Sequence, residues 1–471
     1  MICRQFITGK GILVTFSFIP IQIAIALFFN YFLARNATAE ILNEWYVFLS
    51  FTAFFTLLEF SYPTLAVNYF NGLNGRSKGA FSFFIKKSIG VIITLQLLFT
   101  LGYSVLISSS FFLFGLGLTI RSLANLINSY LYANKYIFID KVYRFISAVI
   151  MPVLFIFNYF ILSSKVPLDE IMAIWFFSSI ICLFYSVVFF FYNFHEKDTD
   201  HVCSFSMPFG NNIKLFLTVL PAIFIYTLSI HYIEMFGAKN KNEDVILYGF
   251  FLQVFNIYNL IIILVGSYFI PTLSRKYHEK ENIRDVVFKI IDVSIIISLL
   301  AVSFIVLLAR DGVEFILQGK IHYVSVFYVI SIALIFFIET CQVVLTSIGT
   351  AVGVYNFHKQ SLASAVIVFS LSYFIIPKYG VVGLMTSIII AQLITCFIFN
   401  PLLVLKTIGG GAKLYVKKIF IHLTTVVCVL LLGMLTMNIG FEYKLLIFLI
   451  LMILLSPLLL IKLKILFINY R

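Results

Sequence analysis

Apolar residues run along this chain in long, unalternating blocks rather than at the two-residue period of a strand. Each block approaches the roughly 20 residues that a helix needs to cross a hydrocarbon core of about 30 Å. The pattern predicts membrane-spanning helices over 11–33, 42–67, 88–107, 110–132, 142–162, 171–192, 213–236, 245–270, 290–309, 324–348, 361–376, 381–405, 417–437 and 443–461. The eleventh is the shortest, so the count lies between 12 and 14. A β-barrel is not indicated, because its apolar-out, polar-in alternation is missing.

Composition agrees with a lipid solvent. Hydrophobic residues make up 62% of the 471 and charged residues only 11%, about half the charged share of a water-soluble domain. The formal charge of +13 is sorted by loop. With Met1 to Lys10 in the cytoplasm, the tails and even-numbered loops hold 24 of the 33 Lys and Arg residues and the opposite face eight, with Arg121 left inside a span. The positive-inside rule therefore expects both termini in the cytoplasm of a multi-pass membrane protein. The same spread explains the charge by anionic lipid rather than nucleic acid.

The first block is too long and too polar-punctuated for a cleaved leader and is expected to remain as the first span. Six scattered cysteines form no C-x-x-C pair and predict no disulfide. His195, His201 and Cys203 fall near one another, but at no zinc spacing, so no metal site is expected. No cofactor is implied. Walker, nucleophile-elbow and H-E-x-x-H patterns are absent and no loop exceeds about 25 residues, so the chain is not expected to be an enzyme.

A weak repeat is present. Tyr46 begins the stretch ending in Pro63-Thr64-Leu65 and Tyr248 the stretch ending in Pro271-Thr272-Leu273, each followed by a basic loop. They belong to the second and eighth spans, six apart. This predicts two tandem six-helix lobes, 1–200 and 201–410, followed by a helix pair at 411–471.

Polar residues within the spans recur at helical spacing. Thr52, Thr56, Glu59 and Pro63 share one face of the second span, Arg121, Asn125, Asn128 and Tyr132 one face of the fourth, and Glu339, Gln342, Thr346 and Gly349 one face of the tenth. Thr227, His231 and Glu234 lie in the seventh, Gln253 and Asn256 in the eighth, and Gln22 and Asn30 in the first. Charge at mid-membrane is costly, so these residues are expected to face a bundle interior or a wet path. A purely structural alternative stands beside this: Glu59 and Arg121 could form a buried ion pair, with the amides as interhelical glue.

Three motifs carry a resemblance. Leu57-Leu58-Glu59-Phe60-Ser61-Tyr62-Pro63, Ile270-Pro271-Thr272-Leu273-Ser274-Arg275 and Ile376-Pro377-Lys378-Tyr379-Gly380-Val381-Val382-Gly383 are similar, in order and spacing, to motifs of the polysaccharide branch of the MOP flippase superfamily, the Wzx-type O-antigen flippases. Glu59 and Ser61 stand where that family has Asp and Gly.

The resemblance implies an all-α, V-shaped, MATE-like bundle that carries undecaprenyl-diphosphate-linked O-antigen or related repeat units across the membrane by alternating access. Membrane lipids surround such a protein, and a polysaccharide polymerase and a chain-length regulator are the partners that role implies. Arg121 is then the candidate for the diphosphate or an acidic sugar, and Asn125, Asn128, Gln253, Asn256 and Gln342 for glycan hydroxyls. Glu59, Glu339, Glu234 and His231 are the candidates for coupling to H+ or Na+. A lipid II flippase, a cation-coupled multidrug exporter and a membrane-embedded enzyme or assembly subunit of a glycan pathway remain as alternatives. The topology predicts that green fluorescent protein fused after Arg471 fluoresces, and that alkaline phosphatase is active when fused in the 310–323 loop and inactive after Lys464.

Overall fold

The computed structural model describes residues 10–60, 63, 78–133, 136–161, 167–193, 216–217, 219–237, 240–354 and 356–468. Among these the chain is helical, with only one isolated bridge between Gln318 and Ile321. His195, His201 and Cys203 fall outside the described residues, as do most of residues 61–77, which hold the end of the first motif. Eleven described helices are long and apolar enough to cross a membrane, or twelve if one bent pair counts as a span. The chain divides into two compact units, Met1–Phe216 and Leu217–Arg471.

The first unit contains α1 (Lys10–Asn36), α2 (Ala39–Leu58), α3 (Lys78–Leu106), α4 (Phe111–Ala133), α5 (Ile137–Ile161) and α6 (Leu168–Asn193). Helix α4 is its hub, packed against α2, α3, α5 and α6. The α4–α6 contact is close because Gly117 has no side chain: a Cβ there would lie 2.7 Å from the Trp175 ring. Thr38 caps α2, its hydroxyl accepting from the Ile41 N–H. The helix then ends earlier than the sequence pattern predicts. Glu59 is its C-cap, and Phe60 turns into the left-handed region at φ 47°. Glu59 therefore stands at a helix end, and Pro63 does not extend its helical face.

The second unit begins with a π turn, Ile223–Thr227, and α7 (Ile230–Phe236), and continues with α8 (Lys241–His278) and α9 (Arg284–Phe304). A second π turn, Ile305–Ala309, leads into α10 (Arg310–Ile316), α11 (Val326–Ala351), α12 (His358–Ile394), α13 (Cys396–Thr407), α14 (Ala412–Leu435) and α15 (Phe441–Ile468). Helix α11 is the hub here, packed against α8, α9, α12 and α13. The hubs α4 and α11 are the fourth and tenth expected spans, six apart. Tyr46 and Tyr248 also occupy the same place, seven residues into α2 and α8, and both are buried.

Three expected spans change shape. The seventh is not a continuous helix: Val219–Thr227 and Ile230–Phe236 meet at 53°. The bend releases carbonyls that water would solvate in a soluble protein, and hydroxyls meet them instead. Tyr248 donates to the Tyr226 carbonyl at 2.7 Å, and Ser229 to that of Phe224 at 2.8 Å. The eleventh span and the first part of the twelfth are the two limbs of α12, which breaks at Gly380 (φ 53°, ψ −134°), and the rest of the twelfth is α13. The chain reverses there, since a Cβ on Gly383 would lie 2.8 Å from the Ile375 carbonyl oxygen, residues that a straight helix would hold about 12 Å apart.

Asp244 fills the space beside the reversal and accepts the Val381 N–H, while a Cβ on Gly380 would fall 2.1 Å from its carboxylate. The third motif is thus a turn built around a missing side chain. Gly380→Ala is expected to destabilise the protein by ~2 kcal/mol or more, from left-handed strain plus the clash. Thermal unfolding in detergent measures it, and adding Asp244→Ala should recover only the steric part.

Candidate functional site

In the first unit the polar side chains of α4 divide between neighbours. Arg121 turns to α6, where Nε donates to Ser179 Oγ at 3.1 Å and one terminal nitrogen to Ser178 Oγ at 3.0 Å. Its guanidinium stacks 3.9 Å above the Trp175 ring, on the surface that Gly117 opens. Held on one side by two hydroxyls and an aromatic face, the cation is fixed without being neutralised.

Glu59 faces other residues of α4, Ser122 and Asn125. No salt bridge joins it to Arg121, so the buried pair that the sequence permits is not formed. The carboxylate is 5% exposed and sits at the negative end of the α2 dipole, two conditions that both oppose its charge. Its surroundings are held rigid. Gln96 of α3, fully buried, donates to Ser122 Oγ at 2.9 Å and to the Phe55 carbonyl at 3.1 Å, and Tyr143 of α5 donates to Asn125 Oδ1 at 2.8 Å.

Asn125 remains exposed, whereas Asn128 is buried and bonds Ser186 of α6 and the Ala124 carbonyl. Asn128 therefore joins helices in this structure. On α1, Gln22 likewise reaches another helix, donating to the Arg144 carbonyl of α5 at 3.3 Å, whereas Asn30 donates within its own helix to the Ala26 carbonyl at 2.8 Å.

In the second unit Glu339 is the centre of a neutral cluster. Its carboxylate accepts from the Tyr226 hydroxyl, at the π turn, and from Gln342 Nε2, which also reaches Gln392 Oε1 at 3.1 Å. Glu339, Gln342 and Gln392 are all buried, and the other titratable groups facing the carboxylate are Tyr258 and Cys396. Among the described residues no base pairs with it. Gln342 Oε1 has no hydrogen-bond partner, so an unused acceptor lies beside an uncompensated carboxylate. Oxygen donors of this kind suit a proton or a small hard cation.

His231 and Glu234 pair with each other on α7 at 2.9 Å, apart from the Glu339 cluster. On α8, Gln253 is half-buried and Asn256 exposed.

The sequence reading passed over several partners. Ser178, Ser179 and Trp175 were legible only as a polar step in an apolar run, and Gln96 as a lone amide in the third span. Asp292 on α9 is the clearest omission. It receives Lys418 of α14 and, at 3.3 Å, Lys462 of α15.

No family model and no curated protein matches the chain. Solved structures do. A lipid II flippase, MurJ, in an inward closed conformation superposes with a TM-score of 0.67 at 13% identity, covering 96% of this chain and 100% of its own. An outward-facing multidrug-resistance MATE transporter of the MOP superfamily gives 0.62 at 13%, covering 87% and 98%. A MATE P26A mutant gives 0.59 at 14%, covering 87% and 98%. The fold is that of the MATE and MurJ transporters. The share that this MATE-type core leaves uncovered is about the size of α14 and α15 together.

On this transporter fold Arg121→Lys is expected to cost about 1–2 kcal/mol, because an ammonium cannot stack on Trp175 while reaching both serines. Thermal unfolding of the purified variant measures the loss, and Trp175→Leu should remove most of the difference between Arg and Lys at 121.

Proposed function

We propose that the protein is a flippase for undecaprenyl-diphosphate-linked O-antigen or related polysaccharide repeat units in the bacterial inner membrane. It works by alternating access and is driven by H+ or Na+. The observation that carries the reading is the division of labour between the units: a fixed guanidinium on the hub of the first and a carboxylate on the hub of the second, neither with an ion-pair partner among the described residues. An anionic diphosphate needs a preorganised cation in hydrocarbon, and Arg121 supplies one whose geometry is set before substrate arrives. Asn125 lies one turn away for a sugar hydroxyl. Glu59 and Glu339 are the coupling groups, each tolerable in the membrane with a proton or cation and expensive without one. A gradient then acts by favouring the state in which that ion is bound.

The extent of the likeness to MurJ favours lipid II as a second cargo. Arg121 is the one arginine that the sequence places inside a span, which weighs against it, because a lipid II flippase typically lines its cavity with several basic residues.

The test is deletion of the gene. Surface O-antigen or capsule should be lost while lipid-linked repeat units accumulate on the cytoplasmic side, and Arg121→Ala or Glu339→Ala should restore less than a tenth of the wild-type flux. Accumulation of lipid II instead selects the second cargo. Normal surface glycan with new sensitivity to cationic drugs sinks both in favour of an exporter, and an Arg121 variant that still flips but no longer supports polymerisation indicates an assembly subunit.

A further inference from the structure

The last two helices are fastened to the second unit at three levels. Near one end, Lys418 of α14 and Lys462 of α15 converge on Asp292 of α9. Near the other, Lys444 of α15 meets Asp311 of α10 at 2.8 Å, its side chain 6% exposed. Between them α14 and α15 pack on α9, which itself packs on α11. Helices α14 and α11 otherwise scarcely meet.

One side chain crosses that gap. Tyr415, 5% exposed on the first turn of α14, donates its hydroxyl to the Cys341 carbonyl of α11 at 3.2 Å. In a helix that carbonyl already serves an N–H four residues on, so the phenol is an additional bond placed at one height of α11. The height matters. Cys341 lies two residues after Glu339 and one before Gln342, and two residues along a helix is a rotation of about 200°. Tyr415 thus grips the back of the turn whose front carries the carboxylate and the unpartnered Gln342 oxygen.

A rotation or shift of α11 at this turn would change the distances from Glu339 and Gln342 to Tyr226 and Gln392, which sit on other helices. Resting on the reading of Glu339 as an ion-coupling group, we propose that Tyr415 is a positioning residue through which the last two helices set the ion affinity of the Glu339 cluster. The bond gives the last two helices of the chain a direct hold on the hub helix α11. Displacing the pair loosens the hold and weakens the ion, and by linkage a bound ion favours the docked pair by the same factor.

The full-length purified protein tests this through its thermal stabilisation by Na+, with equal ionic strength kept by choline, and through the pH dependence of the same transition. Tyr415→Phe keeps the ring and removes only the hydroxyl. It should raise the half-saturating Na+ concentration, or move the pH midpoint by an equivalent amount, three- to tenfold, with the same maximal stabilisation. Asp292→Asn, which frees both lysines, should act in the same direction, and the double variant should add little to either alone. A Tyr415→Phe protein that melts earlier without ion yet keeps its midpoint within twofold of wild type overturns the proposal, since that is the signature of a packing residue. Should Glu339→Gln respond to ions as wild type does, the assignment of Glu339 itself has failed, and the role of Tyr415 falls with it.

Discussion

Charge and backbone polarity have to be satisfied from within the protein wherever water is missing, and each unit is arranged around that requirement. Arg121 has two serines and an indole, Glu59 has a serine and an asparagine, and Glu339 has a tyrosine and a glutamine. In each case the partners are neutral. Neutral donors orient a charged group without cancelling it, which keeps a guanidinium available to an anion and a carboxylate available to a proton or cation. Ion pairs are used elsewhere, at Asp292 with its two lysines and at Asp311 with Lys444, where the task is to attach helices.

Irregular backbone occurs where these polar groups are placed. The π turn at Ile223–Thr227 carries Tyr226 to Glu339, and the carbonyls it frees are taken by Tyr248 and Ser229. The early stop of α2 leaves Glu59 at a helix end, where Gln96 holds the Phe55 carbonyl. Bent and interrupted spans surrounded by hydroxyls and amides are the form that membrane helices adopt where they must also change shape. Around them, aromatic packing is dense, with Trp45, Phe114 and Trp175 in mutual contact behind Arg121.

Each unit is organised around one hub helix. Helices α4 and α11 carry the principal polar face of their own unit, and each packs against four other helices of that unit. A helix surrounded by its neighbours can hold a charge far from lipid, and its rotation is fixed by several partners at once. That is the right place for a site whose geometry must be reproducible and the wrong place for one that must move freely.

Sequence alone marked out the apolar spans and most of their approximate limits, because span length and loop charge are set by the bilayer and by no distant part of the chain. It also located the turn at Pro377–Gly383, since a positive φ and a chain reversal demand glycine locally. The motif that suggested a flippase and the spacing that singled out Arg121, Glu59 and Glu339 were equally legible. Tertiary structure decided what each polar residue does. Helical periodicity put Arg121, Asn125 and Asn128 on one face, but three neighbouring helices divide that face, so one is a fixed cation, one is exposed and one is a joint between helices. The binding of Arg121 to Ser179 rather than Glu59, the contact of Tyr226 with Glu339 and the reach of Tyr415 to Cys341 join residues 58, 113 and 74 positions apart, and no local pattern encodes which of several buried hydroxyls and amides will meet.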